Sequence, residues 1–175
     1  EVSSASIVAV ELSVDVIDAA HAWFCLPPDD ARLNIVNADA REFISHPRQR
    51  GLADWLQVDL YDAAARGPVY DDVAFYRACR KALRAPGVAS FNLFGARFDP
   101  SFAAIASAFD DRALVLPEVD AGNRVVLAVV GPPLDVPFAA LDRRARELEA
   151  RWNLKARGWV AGLRRANVFG TSFEL

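Results

Sequence analysis

Three short strand-like runs of this chain end on a carboxylate within its first 62 residues. The runs are Ile7–Glu11, Leu33–Asp39 and Trp55–Asp59, and their carboxylates follow one another at intervals of 28 and 20 residues. Such intervals suit a strand, a loop, a helix and a loop, which is the repeating unit of a parallel sheet. Ligands of an open parallel sheet bind outside the carboxyl ends of its strands. We therefore expect the three carboxylates to line one crevice that holds a nucleoside-type ligand.

The composition limits the classes of protein that this chain can represent. Its 175 residues are enough for one domain with a buried core, and 53% of them are hydrophobic. The net charge of −3 and the sequence pI of about 5.4 argue against a nucleic-acid partner held by bulk positive charge. The longest apolar runs are far shorter than a membrane span. We expect no membrane partner, and a cytoplasmic location follows by default.

The cysteines and histidines do not predict a metal site or a disulfide framework. Cys25 and Cys79 both fall in apolar helical patterns, which predicts buried and inert thiols. His21 and His46 lack a cysteine or an acidic residue at ligand spacing, which predicts surface histidines and no metal ion.

Strand-like and helix-like segments alternate over the first two thirds of the chain. Ser13 is a predicted N-cap, and Asp71 or Asp72 caps a later helix. A further helix starts at Asp99-Pro100, because proline suits the first helical position. The predicted strands are Ile7–Glu11, Leu33–Ala38, Trp55–Val58 and Val88–Phe94, and a short helix is predicted at Ala40–Ile44.

The pattern changes in the last third of the chain. Arg112–Val119 and Arg124–Val130 are two strand-like runs joined by a short turn that contains Gly122, which predicts an antiparallel hairpin. An amphipathic helix follows from Phe138 to Trp152, and the tail from Gly158 to Leu175 fits no single element.

A β-α alternation that closes in an antiparallel hairpin resembles the class I AdoMet-dependent methyltransferase fold. This fold is a Rossmann-like, three-layer α/β sandwich with a mostly parallel sheet. The order and spacing of four segments also resemble the spermidine synthase (polyamine aminopropyltransferase) family over roughly residues 6 to 130. These segments are Val10-Glu11-Leu12-Ser13, Asn37-Ala38-Asp39-Ala40-Arg41-Glu42-Phe43-Ile44, Val58-Asp59-Leu60-Tyr61-Asp62 with Gly67-Pro68, and Phe75-Tyr76-Arg77-Ala78-Cys79.

The resemblance implies a cofactor site for AdoMet or decarboxylated AdoMet, with no metal. Glu11 would accept hydrogen bonds from both ribose hydroxyls, since a carboxylate can accept two donors. Asp39 would accept from the exocyclic amine of adenine, and the backbone N–H of Ala40 would meet a ring nitrogen.

The resemblance also implies an amine site. Asp59 matches the first aspartate of the family's D-x-x-D motif, where it takes a proton from the attacking amine. Asp62 matches the second aspartate and would help to hold the cationic small-molecule amine. Tyr61 either stacks over the adenine or the amine, or is an ordinary aromatic residue at the rim. A homodimer is compatible with the sequence and is not required by it.

The chain departs from the family pattern in several places. Asp62 is followed by Ala63-Ala64-Ala65-Arg66 before Gly67-Pro68, and Leu60 and Tyr61 replace small hydroxyl residues. The 175 residues contain neither the family's small N-terminal β-domain nor its Gly-rich cofactor loop. We therefore expect residues 1–175 to form a single domain that is incomplete at its N-terminus, with a strand, a Gly-rich turn and a helix upstream.

Three functions stay open from the sequence. The first is transfer of an aminopropyl group to an amine by a spermidine synthase-like enzyme. The second is an AdoMet-dependent methyltransferase that acts on an unknown small molecule. The third is a non-catalytic relative of the same family.

Overall fold

A computed structural model of the chain describes residues 5–64, 66–94, 98–118 and 122–175. The chain divides into two compact units, Glu1–Gln49 and Arg50–Leu175. Each unit is an α/β assembly, which confirms the predicted class. The expectations of a single domain and of an upstream strand stay predictions.

The first unit contains two parallel strands and two helices. Strand β1 (Ile7–Glu11) pairs with β2 (Leu33–Asn37) in a register that runs from Ile7 opposite Leu33 to Glu11 opposite Asn37. Helix α1 (Val14–Trp23) begins where the Ser13 hydroxyl accepts a hydrogen bond from the Val16 N–H, so the predicted N-cap is confirmed. Helix α2 (Ala40–Ser45) is followed by a 3₁₀ turn at Pro47–Gln49.

The second unit is built on a four-stranded mixed sheet. Its strands are β3 (Ala53–Val58), β4 (Leu83–Phe94), β5 (Ala113–Val115) and β6 (Asn123–Val130), in the order β3-β4-β6-β5. Strands β3 and β4 are parallel, whereas β6 is antiparallel to both β4 and β5. The predicted hairpin is therefore confirmed, although residues 119–121 of its turn lie outside the described residues.

Two strand boundaries differ from the prediction by more than two residues. Strand β5 stops at Val115, well before Val119, because Pro117 has no N–H to donate to a sheet ladder. Strand β4 begins at Leu83, directly after helix α3 (Val73–Ala82), rather than at Val88.

The core of the second unit lies against one face of β4. Ala89, Phe91 and Leu93 alternate along this face, and each is at most 2% exposed. The Phe91 ring meets the rings of Tyr76 and Phe109 edge-on, with centroids 5.2 and 5.9 Å apart. The opposite face of β4 carries Ser90 and Asn92, which are only half-buried. Strand β4 is thus fixed by its apolar face, and its polar residues are left for other contacts.

Three helices and a small antiparallel pair of strands complete the second unit. Helix α4 (Phe98–Ala108) contacts α3, and α5 (Phe138–Trp152) contacts α6 (Ala156–Ala166). The tail that the sequence left ambiguous forms α6 and then β8 (Ser172–Glu174), which pairs with β7 (Asp135–Pro137). In the described part of the chain, no helix is long and apolar enough to cross a membrane.

The two cysteines differ in their surroundings. Cys79 is fully buried, and burial raises the pKa of its thiol to about 12, which agrees with the prediction of an inert thiol. The same prediction was wrong for Cys25, which is exposed. Helix α1 ends at Trp23, and Cys25 has a left-handed φ of 56°, so it leaves the apolar stripe that the sequence suggested.

A hydrogen-bonded cluster at Asp71 joins helices α3 and α4. The hydroxyl of Tyr76 donates to Oδ1 of Asp71, and that of Ser101 donates to Oδ2, each over 2.9 Å. Tyr76 and Ser101 are each only 1% exposed. Burial, with help from Asp71, raises the pKa of the Tyr76 hydroxyl, so it stays protonated and donates.

The substitution Ser101→Ala tests this cluster. It removes a donor from a partly buried carboxylate, so we expect the free energy of unfolding to fall by about 1–2 kcal/mol in urea denaturation. Ser107→Ala is the matched control, because Ser107 lies on the same helix and is exposed. The control makes the same change in helix propensity. An equal effect of the two substitutions would contradict the account.

Candidate functional site

Asp59 lies at the carboxyl end of β3 and is held there by the neighbouring strand. The parallel register places Val58 opposite Phe91, so the next residues along the two strands are Asp59 and Asn92. The Nδ2 group of Asn92 donates to Oδ1 of Asp59 over 2.9 Å. Asp59 is exposed. Its position is therefore set by a side chain 33 residues away in sequence, and its carboxylate faces solvent.

Tyr61 also hydrogen-bonds to Asn92, through the Asn92 backbone. Its hydroxyl donates to the carbonyl oxygen of Asn92 over 3.3 Å. Burial, followed by the nearby charge of Asp59, raises the pKa of the Tyr61 hydroxyl. A Cβ added to Gly67 would lie 2.6 Å from Cδ1 of Tyr61 and 2.7 Å from the carbonyl oxygen of Leu60. Gly67 therefore permits a close approach of its loop to the Tyr61 ring.

The carboxylate of Asp62 is occupied within its own loop. Its Oδ1 accepts from the backbone N–H groups of Ala64 and Arg66, and its Oδ2 accepts from Nε of Arg66, all over 2.9 Å. These interactions lower the pKa of Asp62, with the backbone N–H of Arg66 as the largest cause and its guanidinium as the next. Asp62 is thus an ionised carboxylate whose charge is compensated by Arg66, and its hydrogen bonds hold the loop before Gly67.

Glu11 and Asp39 lie at the adjacent carboxyl ends of the two strands of the first unit. The Asn37 amide donates to the carbonyl oxygens of Glu11 and Leu12 over 3.0 and 2.8 Å, which ties these ends together. Oε1 of Glu11 accepts from the Ser13 N–H over 2.8 Å. Both carboxylates are half-buried.

Asp39 is the N-cap of α2. Its Oδ1 accepts from the Glu42 N–H over 2.9 Å. Ala40 is the first residue of the helix, where a backbone N–H has no acceptor within the helix.

The structure thus groups the predicted site residues within each unit. Glu11, Asp39 and Ala40 flank the carboxyl edge of the β1–β2 pair. Asp59 and Tyr61 lie at the carboxyl end of β3, with Asp62 in the loop that follows. Across the described ranges, no group of three or more histidine, cysteine, aspartate or glutamate side chains could hold a metal ion.

Asn92 is the contact residue that the sequence analysis missed. It is an amide near the end of a strand whose neighbours Phe91, Leu93 and Phe94 are all apolar. A polar side chain at such a position is a signal in its own right, because a buried strand seldom keeps one without a partner. Its partner could not be read from the sequence.

Comparisons with known proteins agree with the sequence resemblance. No protein-family model matches the chain. The polyamine aminopropyltransferase of Chromobacterium violaceum is 30% identical over 162 residues, which are 91% of this chain and 61% of that protein. In sequence, the chain is similar to this polyamine aminopropyltransferase. The chain spans less than two thirds of that relative's length.

Solved structures show the fold of this chain. A spermidine synthase in complex with the transition state analogue AdoDATO has a TM-score of 0.61 at 24% identity, over 72% of this chain and 47% of that one. Human methyltransferase-like protein 13 in complex with SAH has a TM-score of 0.64 at 19% identity, over 94% of this chain and 74% of that one. The predicted Rossmann-like methyltransferase fold is confirmed.

The substitution Arg66→Gln tests the neutralisation of Asp62. Loss of the guanidinium should raise the pKa of Asp62 part of the way to an ordinary carboxyl value, since the two backbone N–H groups still donate. The contribution of these bonds to stability is present above the ordinary carboxyl pKa and is lost as the pH falls through the lowered pKa. NMR titration of the Asp62 side-chain carbon measures the change.

Arg143→Gln is the matched control, because Arg143 is an exposed arginine on α5. It should leave the pKa of Asp62 unchanged. An Asp62 pKa that is the same in Arg66→Gln and in the unsubstituted chain would show that Arg66 does not neutralise it.

Proposed function

We propose that this chain forms the catalytic part of an enzyme that transfers an aminopropyl group from decarboxylated AdoMet to an amine. One observation carries the proposal. The Asp59 carboxylate stands exposed at the carboxyl end of β3, and only its Oδ1 is engaged by Asn92. Among the described residues, Oδ2 of Asp59 has no hydrogen-bond partner. A carboxylate fixed through one oxygen and open at the other is suited to act as a general base.

In the proposed reaction, the amine nitrogen attacks the methylene carbon of the aminopropyl group that is bound to the sulfonium sulfur. A new C–N bond forms, the C–S bond breaks, and its electron pair stays on sulfur as a neutral thioether. Asp59 takes the proton that the amine nitrogen must lose, directly or through one water molecule. The products are the aminopropylated amine and methylthioadenosine.

The first unit fits the nucleoside part of such a cofactor. Oε1 of Glu11 accepts one hydrogen bond, from the Ser13 N–H. Both carboxylate oxygens can therefore still accept hydrogen bonds from ribose hydroxyls. Asp39 accepts from the Glu42 N–H, and a carboxylate can accept more than one donor. When bound, the cofactor would supply the electrophilic carbon, and these residues would hold its nucleoside. We propose these roles for Glu11, Asp39 and Ala40, as the resemblance implies.

Asp62 and Tyr61 would meet the amine substrate. A cationic amine that binds Asp62 must compete with Arg66 for Oδ2, which lies 2.8 Å from Nη2 of Arg66. Exposed ion pairs of this kind are weak, so an amine can displace the guanidinium. If the guanidinium stays on Asp62 instead, the site no longer favours a polycation, and this would support a second candidate, an AdoMet-dependent methyltransferase.

Binding of three nucleosides by the full-length protein distinguishes the candidates. Isothermal calorimetry with decarboxylated AdoMet, AdoMet and methylthioadenosine should show tight binding of the first and the last. Preferential binding of AdoMet would support the methyltransferase. If none of the three binds, the chain belongs to a non-catalytic relative and both enzymatic candidates are wrong.

The substitution Asp59→Asn tests the proposed base. Transfer from decarboxylated AdoMet should fall by about 10²–10⁴-fold, because the amide cannot accept the proton. Nucleoside binding by calorimetry should stay unchanged. Asp54→Asn is the matched control, since Asp54 is an exposed aspartate at the beginning of the same strand and pairs with Arg84. Turnover by Asp59→Asn at the rate of the control would refute the role.

A further inference from the structure

Asn92 makes two contacts at the candidate site, and one of its buried atoms has no hydrogen-bond partner among the described residues. Its Nδ2 donates to Asp59 and its carbonyl oxygen accepts from Tyr61. Its Oδ1 is buried, and within the described ranges no donor reaches it. A buried acceptor without a donor lowers the stability of a folded protein.

The orientation of the Asn92 amide is fixed by Asp59. If the amide were turned over, Oδ1 would face the Asp59 carboxylate across 2.9 Å, and two acceptors would repel each other. The observed orientation therefore keeps the bond to Asp59 and leaves Oδ1 without a donor in the part of the chain that the structure describes. An apolar side chain at this position would carry no such acceptor.

We propose that Asn92 is a positioning residue for the transfer reaction. It holds Oδ1 of Asp59, so that Oδ2 stays in one place to receive the proton of the amine. Its backbone carbonyl holds the Tyr61 hydroxyl beside the same carboxylate. The amide is retained for this geometry and not for stability. This inference rests on the proposed function, because it assigns Asn92 a role in the reaction that Asp59 would catalyse.

The substitution Asn92→Leu separates positioning from stability. It removes the donor to Asp59 and also removes the unsatisfied Oδ1. In the full-length protein we expect an unfolding midpoint that is unchanged or higher, with kcat reduced by about a hundredfold, as for a misplaced catalytic group. The KM for decarboxylated AdoMet should stay the same. Ser90→Ala is the matched control, two residues earlier on the same face of β4, and should leave kcat unchanged.

The substitution Asn92→Asp should change the pH dependence of kcat, which a purely structural role of Asn92 would leave unchanged. The introduced carboxyl would share a proton with Asp59, because two carboxylates this close do not both ionise readily. While protonated, the new carboxyl can donate to Asp59 as the amide does. As the pH rises and this proton is lost, the two carboxylates repel and the geometry is lost. The kcat of Asn92→Asp should therefore fall with rising pH over a range in which the unsubstituted protein does not decline.

The outcomes separate this inference from the proposed function. No transfer by the unsubstituted protein would overturn the proposed function and this inference with it. Transfer by the unsubstituted protein with an unchanged kcat in Asn92→Leu would overturn this inference alone. The same conclusion follows if Asn92→Leu loses activity and stability together while Asn92→Asp keeps the pH profile of the unsubstituted protein.

Discussion

The parallel pairing of β3 with β4 is the constraint on which the candidate site depends. Because Val58 lies opposite Phe91, Asp59 meets Asn92 at the carboxyl end of the pair. The register is fixed from the other side of β4, where Phe91 is buried between the rings of Tyr76 and Phe109. A slip by one residue would turn these apolar side chains outward. The apolar core and the polar site are therefore two faces of the same strand.

Local signals in the sequence predicted much of the fold, and contacts between distant residues lay beyond them. The N-cap at Ser13, the alternation of strands and helices, and the hairpin that ends in β6 all follow from patterns within a few residues. The contact of Asp59 with Asn92 spans 33 residues and depends on strand register. Cys25 was misplaced because the helical stripe gave no sign that α1 ends two residues earlier.

The two aspartates of the D-x-x-D segment, Asp59 and Asp62, have different surroundings although they are only three residues apart. Asp59 is held by an uncharged amide, and its second oxygen has no partner among the described residues, whereas Asp62 is bound by the backbone and the guanidinium of Arg66. Both arrangements arise from residues that the family motif does not include. We therefore propose that Asp59 carries the chemistry at this edge and that the departure at Arg66 affects which substrate is held.

The measurement that tests the central claim most directly is product analysis with the full-length protein, decarboxylated AdoMet and a diamine. If the protein catalyses aminopropyl transfer, mass spectrometry should find methylthioadenosine and the aminopropylated amine in equal amounts. Formation of neither product would contradict the account. Release of S-adenosylhomocysteine from AdoMet, together with a methylated acceptor, would assign the same fold to methyl transfer instead.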